Sequence, residues 1–370
     1  MSLTNKTNIP TLSVDRCVDT LSEMYVTAIN NNIQFKSLPS LMLWGPPGVG
    51  KSQAIRQVAK RIEKDTCKKC YVTDVRLLLF NPIDLRGIPT ANNDKTLAIW
   101  LKPQIFQMDE SDKAVNILFL DEISAAPQSV QAAAYQITLD RIIGEHKLPD
   151  NCIVIAAGNR VTDKSVAFKM PKALANRLCH LEIESNFESW QRWAIEKGLS
   201  PKVVGFLSFR QDYLIENENA SDDIAFPTPR AWEMVSNVLK VHNDNVESAY
   251  SLICGLVGTG VAVEFSSWCR IFSKLPVIED IFKGKTVPVP SGTDILYALV
   301  SSMTSYAREH SDNIRELENS INYAMKLPPD FSFVLLKNYL IMEEEMMERL
   351  IKIPAFTKWL NTKGKFLNGN

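Results

Sequence analysis

The chain reads as an α/β protein: a five-stranded parallel sheet with flanking helices, followed by all-α segments. Three observations predict this. Five short apolar runs, LMLW (41–44), YVTDVRLLLF (71–80), NILFL (116–120), CIVIAA (152–157) and LCHLEI (178–183), are each bounded by polar or turn residues. Helix-patterned stretches separate them, which is the rhythm of a parallel sheet. After about residue 185 the strand-like runs largely stop and helical spacing takes over.

In chain order, residues 13–30 carry apolar residues at helical spacing behind Ser13, a good N-cap. LMLW then predicts a strand that ends at a glycine-rich turn. Ser52 to Glu63 follows as a helix with Ile55, Val58, Ala59 and Ile62 on one face. The remaining runs, rich in Val, Ile and Leu, suit strands buried on both faces. PQSVQAAAYQITL (127–139) predicts a helix with Pro127 at its first position. Residues 187–197, 200–214 and 228–241 read as helices, each opened by Asn, Ser or Thr. Residues 246–272, 291–326 and 330–362 are also helical in pattern, with a Pro/Gly-containing loop over 274–292. The expected organisation is an α/β domain over 1–185, a helical unit over 186–245 and a C-terminal helical region over 246–370.

A length of 370 residues exceeds one small core. With 45% hydrophobic and 22% charged residues the composition is that of an ordinary globular chain. A formal net charge of −1 gives no bulk attraction to nucleic acid or to an anionic membrane, so neither is expected as a partner. No run approaches the roughly 18–20 apolar residues of a membrane span. Met1 to Pro10 is polar, without the apolar stretch of a signal peptide. Seven scattered cysteines fit a reducing compartment, and the expectation is a cytoplasmic protein.

The chemistry is carried by GPPGVGKS, the residues Gly45, Pro46, Pro47, Gly48, Val49, Gly50, Lys51 and Ser52. It fits G-x-x-x-x-G-K-[ST] between a strand and a helix. In that pattern backbone N–H groups wrap phosphate oxygens, Lys51 reaches the β- and γ-phosphates of ATP, and Ser52 ligates Mg²⁺. The third run ends in two carboxylates, Asp121 and Glu122, at the strand's C-terminal edge, where ligands of such sheets bind. Asp121 would hold Mg²⁺ and Glu122 would activate the attacking water. The fourth run leads to Asn159, whose amide could hold that water or the γ-phosphate. Arg177 precedes the fifth run. Arg230 follows Thr228 and Pro229, which read as N-cap and first residue of a helix; a cation there opposes the helix dipole and calls for an anion. The set points to Mg²⁺-dependent ATP hydrolysis.

This order of motifs resembles the AAA+ ATPases, and more narrowly their MoxR branch, over residues 15–245. FNPIDLRGIPT (80–90) sits where that branch inserts a hairpin, LDRIIGEHKLPDNCIVIAAGNR (139–160) is similar to its hairpin and sensor strand, and PTPRAWE to its second sensor. The resemblance implies an αβα domain with a helical lid over 186–245. It gives Asn159 the first-sensor role, Arg177 that of a finger reaching a neighbouring subunit's ATP, and Arg230 that of second sensor. It further implies a homo-oligomeric ring, usually a hexamer, that remodels or matures a protein partner, often alongside a separate von Willebrand factor A-domain protein. Two features depart from the branch. Arg160 stands where proline usually follows the sensor Asn, and Arg177 lies in Ala-Asn-Arg-Leu, so Arg141 and Arg160 are alternative trans arginines. The other classes weighed are a DNA-associated AAA+ motor and a P-loop kinase or monomeric nucleotide switch. CKKC (67–70) has metal-like spacing without a second ligand pair, and the four histidines form no cluster. Trp190, Trp193 and Trp232 read as packing residues, and IMEEEMMERLI (341–351) as one core-facing helix.

Overall fold

A computed structural model describes residues 9–160, 170, 172–215, 224–343 and 345–362. Met1 to Asn8, most of the polar N-terminal stretch, lie outside the described residues. The chain divides into two compact units, 1–185 and 186–370.

The first unit opens with β1 (Thr11–Ser13) and α1 (Val14–Asn30), whose N-cap Ser13 accepts the Arg16 N–H. Then come β2 (Leu41–Trp44), α2 (Lys51–Thr66) and β3 (Lys69–Arg76). A short α3 (Pro82–Arg86) leads into an antiparallel hairpin, β4 (Ile88–Ala91) with β5 (Ala98–Leu101). Next are β6 (Ala114–Asp121), α4 (Gln128–Asp140) and a second small hairpin, β7 (Ile142–Ile143) with β8 (His146–Lys147). The unit closes with β9 (Cys152–Gly158), α5 (Lys172–Ala175) and β10 (Cys179–Glu184).

The main sheet has six strands, one more than expected, in the order β1-β10-β2-β9-β6-β3, all parallel. The extra strand is β1, three residues paired at the sheet's edge to Glu182, Ile183 and Glu184. It is too short to carry an apolar pattern, and its last residue is the N-cap of α1. Alternate residues of each inner strand enter opposite cores. Leu41, Leu43, Ile117, Phe119, Ile153 and Ile155 pack with α1 and α2; Met42, Leu118, Leu120, Val154 and Ala156 pack with α4 on the other face. Burial on both faces is why these runs read as continuous rather than alternating.

Smaller expectations shift as well. Leu77–Leu79 leaves the strand for a 3₁₀ turn, so β3 ends at Arg76. Pro127 is the N-cap of α4 and not its first residue. The anticipated hairpin lies mostly beyond 80–90, its strands running from Ile88 to Leu101.

The second unit is helical: α6 (Phe187–Glu196), α7 (Pro201–Phe209), α8 (Pro229–Val241), α9 (Val246–Val257), α10 (Thr259–Cys269), α11 (Ile278–Phe282), α12 (Thr293–Glu309), α13 (Ile314–Ala324), α14 (Pro329–Met342), α15 (Met346–Ile351) and α16 (Pro354–Thr362). One hydrophobic core runs through it from Trp190 to Trp359. Trp232 is fully buried, Trp190 nearly so, and Trp193 packs against the same core. The mostly helical stretch 246–272 holds two helices that meet at Gly258, the 274–292 loop contains α11, and 341–351 is split between α14 and α15. No described helix is long and apolar enough to cross a membrane.

Candidate active site

Strand order builds the site. β2, β9 and β6 are consecutive neighbours and parallel, so their C-terminal ends share one edge. β2 runs into Gly45, β6 ends at Asp121, and β9 ends at Gly158 with Asn159 next. Residues far apart in sequence are thereby brought together by topology alone.

The phosphate-loop sequence folds as its glycines require. Gly48 (φ 77°) and Gly50 (φ 109°) take left-handed backbone that L side chains rarely adopt. A Cβ on Gly45 would lie 2.5 Å from the carbonyl oxygen of Ile183, so β10 leaves no room for a side chain there. Gly50 is the N-cap of the 16-residue α2 and has no side chain with which to bond its first N–H groups. An uncapped helix N-terminus behind a glycine loop is a ready anion site.

Lys51 is buried, and its ammonium donates to the Gly45 carbonyl at 2.6 Å, the Pro46 carbonyl at 3.1 Å and Asn159 Oδ1 at 3.0 Å. Ser52 Oγ donates to Asp121 Oδ2 at 3.0 Å. Asp121 Oδ1 accepts the Glu122 N–H at 2.8 Å. Glu122 is in the left-handed region at φ 59°, uncommon for a residue with a side chain; the Ile123 N–H, donating to Ala157 O at 2.9 Å, ties the turn to β9. Asn159 is fixed through its own N–H, which donates to Ser124 Oγ at 2.9 Å. The structure therefore ties the loop, Lys51 and Asn159 together by one set of hydrogen bonds and Ser52 to Asp121 by another, with Glu122 half-buried on the same edge.

The donor set fits Mg·ATP. A serine hydroxyl and one carboxylate in contact are the hard oxygen ligands that Mg²⁺ takes alongside phosphate oxygens. Nearby on β3, burial and then the charge of Asp121 push the Asp74 carboxyl above its usual range, while Arg56 pairs with it at 3.6 Å.

Residues 41–184, less than half of the 370-residue chain, match the ATPase family associated with various cellular activities (AAA). The first unit carries an AAA ATPase-family domain. Its six-stranded parallel sheet with flanking helices has the AAA+ P-loop fold. Among solved structures, the chain is similar to a variant of RuvB from Thermotoga maritima, at 15% identity over 79% of this chain and 84% of that one, TM-score 0.34. It is also similar to PCH-2 of C. elegans, at 12% identity over 80% and 69%, TM-score 0.33. No curated protein matches the sequence significantly.

The structure keeps Arg177 away from this group. Arg177 precedes β10, and β10 runs parallel to β2 with Cys179 opposite Leu41, so Arg177 lies at the opposite edge of the AAA sheet. Six residues of strand, about 20 Å at ~3.3 Å each, separate the two edges. There Arg177 is exposed and shares a polar cleft of about 550 Å³ with Lys36, Ser40, Thr138, Asp140 and Arg141. Arg141, at the C-cap of α4, also donates to the Cys152 carbonyl. Arg160 is ion-paired with the buried Glu182 of β10 in the same chain. Arg230 belongs to the second unit, exposed in the first turn of α8, where Thr228 caps the helix by accepting the Ala231 N–H.

Sequence reasoning missed Ser124, Glu182, Lys36 and His180. Ser124 lies three residues beyond Asp121 in the same motif, which was a usable signal; the others become visible only through strand pairing. Cys67 ends α2 in left-handed backbone and Cys70 begins its bonding in β3, where its N–H donates to Glu63.

Proposed function

We propose that this chain is a Mg²⁺-dependent ATPase of the MoxR type, assembling as a homo-oligomeric ring, a hexamer, that remodels or matures a protein partner. The observation that carries the reading is the division of the sheet: phosphate loop, Asp121, Glu122 and Asn159 on one edge, Arg177 on the other. A ring in which each subunit turns its Arg177 edge toward the next subunit's phosphate loop makes use of both. Two hairpins, β4–β5 and β7–β8, support the narrower MoxR assignment, with His146 Nε2 2.8 Å from the carbonyl of Trp100 joining them.

In this reading the loop N–H groups and Lys51 bind the phosphates, and Glu122 accepts a proton from the attacking water. Asn159 orients that water or the γ-phosphate. Mg²⁺, when bound by Ser52 and Asp121, would offset charge on the β- and γ-phosphates. Arg177 from the neighbour offsets charge in the transition state, an effect worth about 10³–10⁵ in rate for such arginines. Arg230 is retained as the nucleotide-sensing arginine on the strength of the PTPRAWE sequence. The lid (186–245) and the helices of 246–370 share one core, so we treat them as moving together. The client is a protein, with a separate von Willebrand factor A-domain protein as the candidate adaptor, in the cytoplasm.

The test is steady-state hydrolysis with binding measured alongside. Glu122→Gln should bind ATP while turnover falls by about 10²–10⁴, the usual weight of a general base. Lys51→Ala should lose nucleotide binding. Glu122→Gln turning over at the wild-type rate would contradict the reading.

A further inference from the structure

His180, which belongs to no histidine cluster, sits between the phosphate loop and the turn that carries Arg177. It lies on β10 opposite Met42 of β2, and its diagonal neighbour on that face is Trp44, the residue just before Gly45. Trp44 Nε1–H donates to His180 Nδ1 at 2.9 Å, and the two rings lie nearly parallel, 18° apart, with centroids at 6.0 Å. The other ring nitrogen, Nε2, is 2.7 Å from the carbonyl oxygen of Ala175.

Indole nitrogen can only donate, so Nδ1 must accept; Nε2 then carries the ring proton and donates to Ala175. One neutral tautomer satisfies both contacts. The Ala175 carbonyl also accepts the Leu178 N–H at 3.3 Å, closing the 175–178 turn on which Arg177 is presented. The imidazole therefore links the indole of Trp44, the residue preceding the phosphate loop, to the backbone of the arginine turn.

We propose that His180 is a positioning residue that fixes the Arg177 turn against Trp44, and thereby the arginine that one subunit offers to the next. This rests on the reading of Arg177 as a trans-acting group. His180 touches neither phosphate nor water; it acts through Arg177. An error of about 1 Å in placing such a group costs up to roughly a hundredfold in rate, so loss of both ring contacts should be felt in turnover.

The experiment compares His180→Phe, which keeps an aromatic ring without polar atoms, with His180→Gln, whose amide can accept from Trp44 and donate to Ala175. Each is assayed alone and co-expressed with Glu122→Gln subunits, whose own sites are inactive but whose Arg177 is intact. His180→Phe alone should lose about 10- to 100-fold in kcat with KM for ATP little changed. Mixed rings should regain turnover, because an intact arginine then faces the variant's own sound site. His180→Gln should keep most of its activity. Trp44→Phe, which retains the imidazole, supplies the same reading if His180→Phe fails to fold. Wild-type kcat in folded His180→Phe would overturn the proposal. So would low activity that mixing does not rescue while Arg177→Ala with Glu122→Gln is rescued, since His180 would then serve its own site. Failure of that Arg177→Ala control would instead remove the trans reading, and this inference with it.

Discussion

Lys51 illustrates how single residues in this site are constrained. Its ammonium is buried among two loop carbonyls and the Asn159 amide, so the loop is braced by the same side chain proposed to bind phosphate. The cysteines offer a contrasting case, where spacing suggested chemistry and surroundings do not support it. Burial pushes the thiols of Cys17, Cys70 and Cys269 up to about 12 and that of Cys152 to about 11, so at mildly alkaline pH they remain protonated and unreactive. Cys67 is exposed. A thiol reagent should therefore label Cys67 first, with Cys17, Cys152 and Cys269 reacting only on unfolding, as peptide mapping would read; early labelling of Cys152 would show that the β9 core opens. Cys67→Ser should leave ATP turnover unchanged. At this scale the glycines, Lys51, Ser52, Asp121 and Glu122 were legible because the motif fixes their spacing. Glu182 was not, because its partner Arg160 is 22 positions away and meets it only across the sheet.

Among elements, the seam between β6 and β9 matters most. Gly158 ends β9 against Ser124, and a Cβ there would lie 2.8 Å from Ser124 Oγ, 2.9 Å from Met42 Cε and 3.0 Å from Ser124 Cβ. Met42 is itself fully buried. Gly158→Ala should cost about 1–3 kcal/mol through overpacking, measurable as a lower urea midpoint for the first unit. It should also slow hydrolysis, because Ser124 holds the Asn159 N–H. An unchanged midpoint would mean that the seam has slack. The inner strands were legible from apolar runs buried on both faces. β1 was not, since three edge residues carry no pattern; within 246–272 apolar spacing continues past Gly258, so the break at φ of 82° there was not legible either. The β4–β5 hairpin was located only approximately, as exposed residues such as Ile88, Leu97 and Leu101 give it no buried face to pattern.

For the whole molecule, strand order turns scattered motifs into a site and also divides it. The sequence supplied the phosphate loop, Asp121, Glu122, Asn159, Arg177 and Arg230 but not Ser124, which holds Asn159, and nothing in spacing says that Arg177 stands about one strand length from the phosphate loop. It also left Arg141, Arg160 and Arg177 as rivals. Their surroundings differ: Arg160 is held by Glu182, Arg141 donates to the Cys152 carbonyl, and Arg177 is exposed in the cleft it shares with Arg141. In the proposed reading, catalysis is shared between copies. The most direct measurement is ATP hydrolysis by Arg177→Ala and Glu122→Gln subunits, each alone and then co-assembled. Each should be nearly inactive alone, and mixed rings should recover turnover where an intact Arg177 faces an intact Glu122. Two inactive variants that stay inactive when mixed, in rings shown to contain both, would contradict a shared active site.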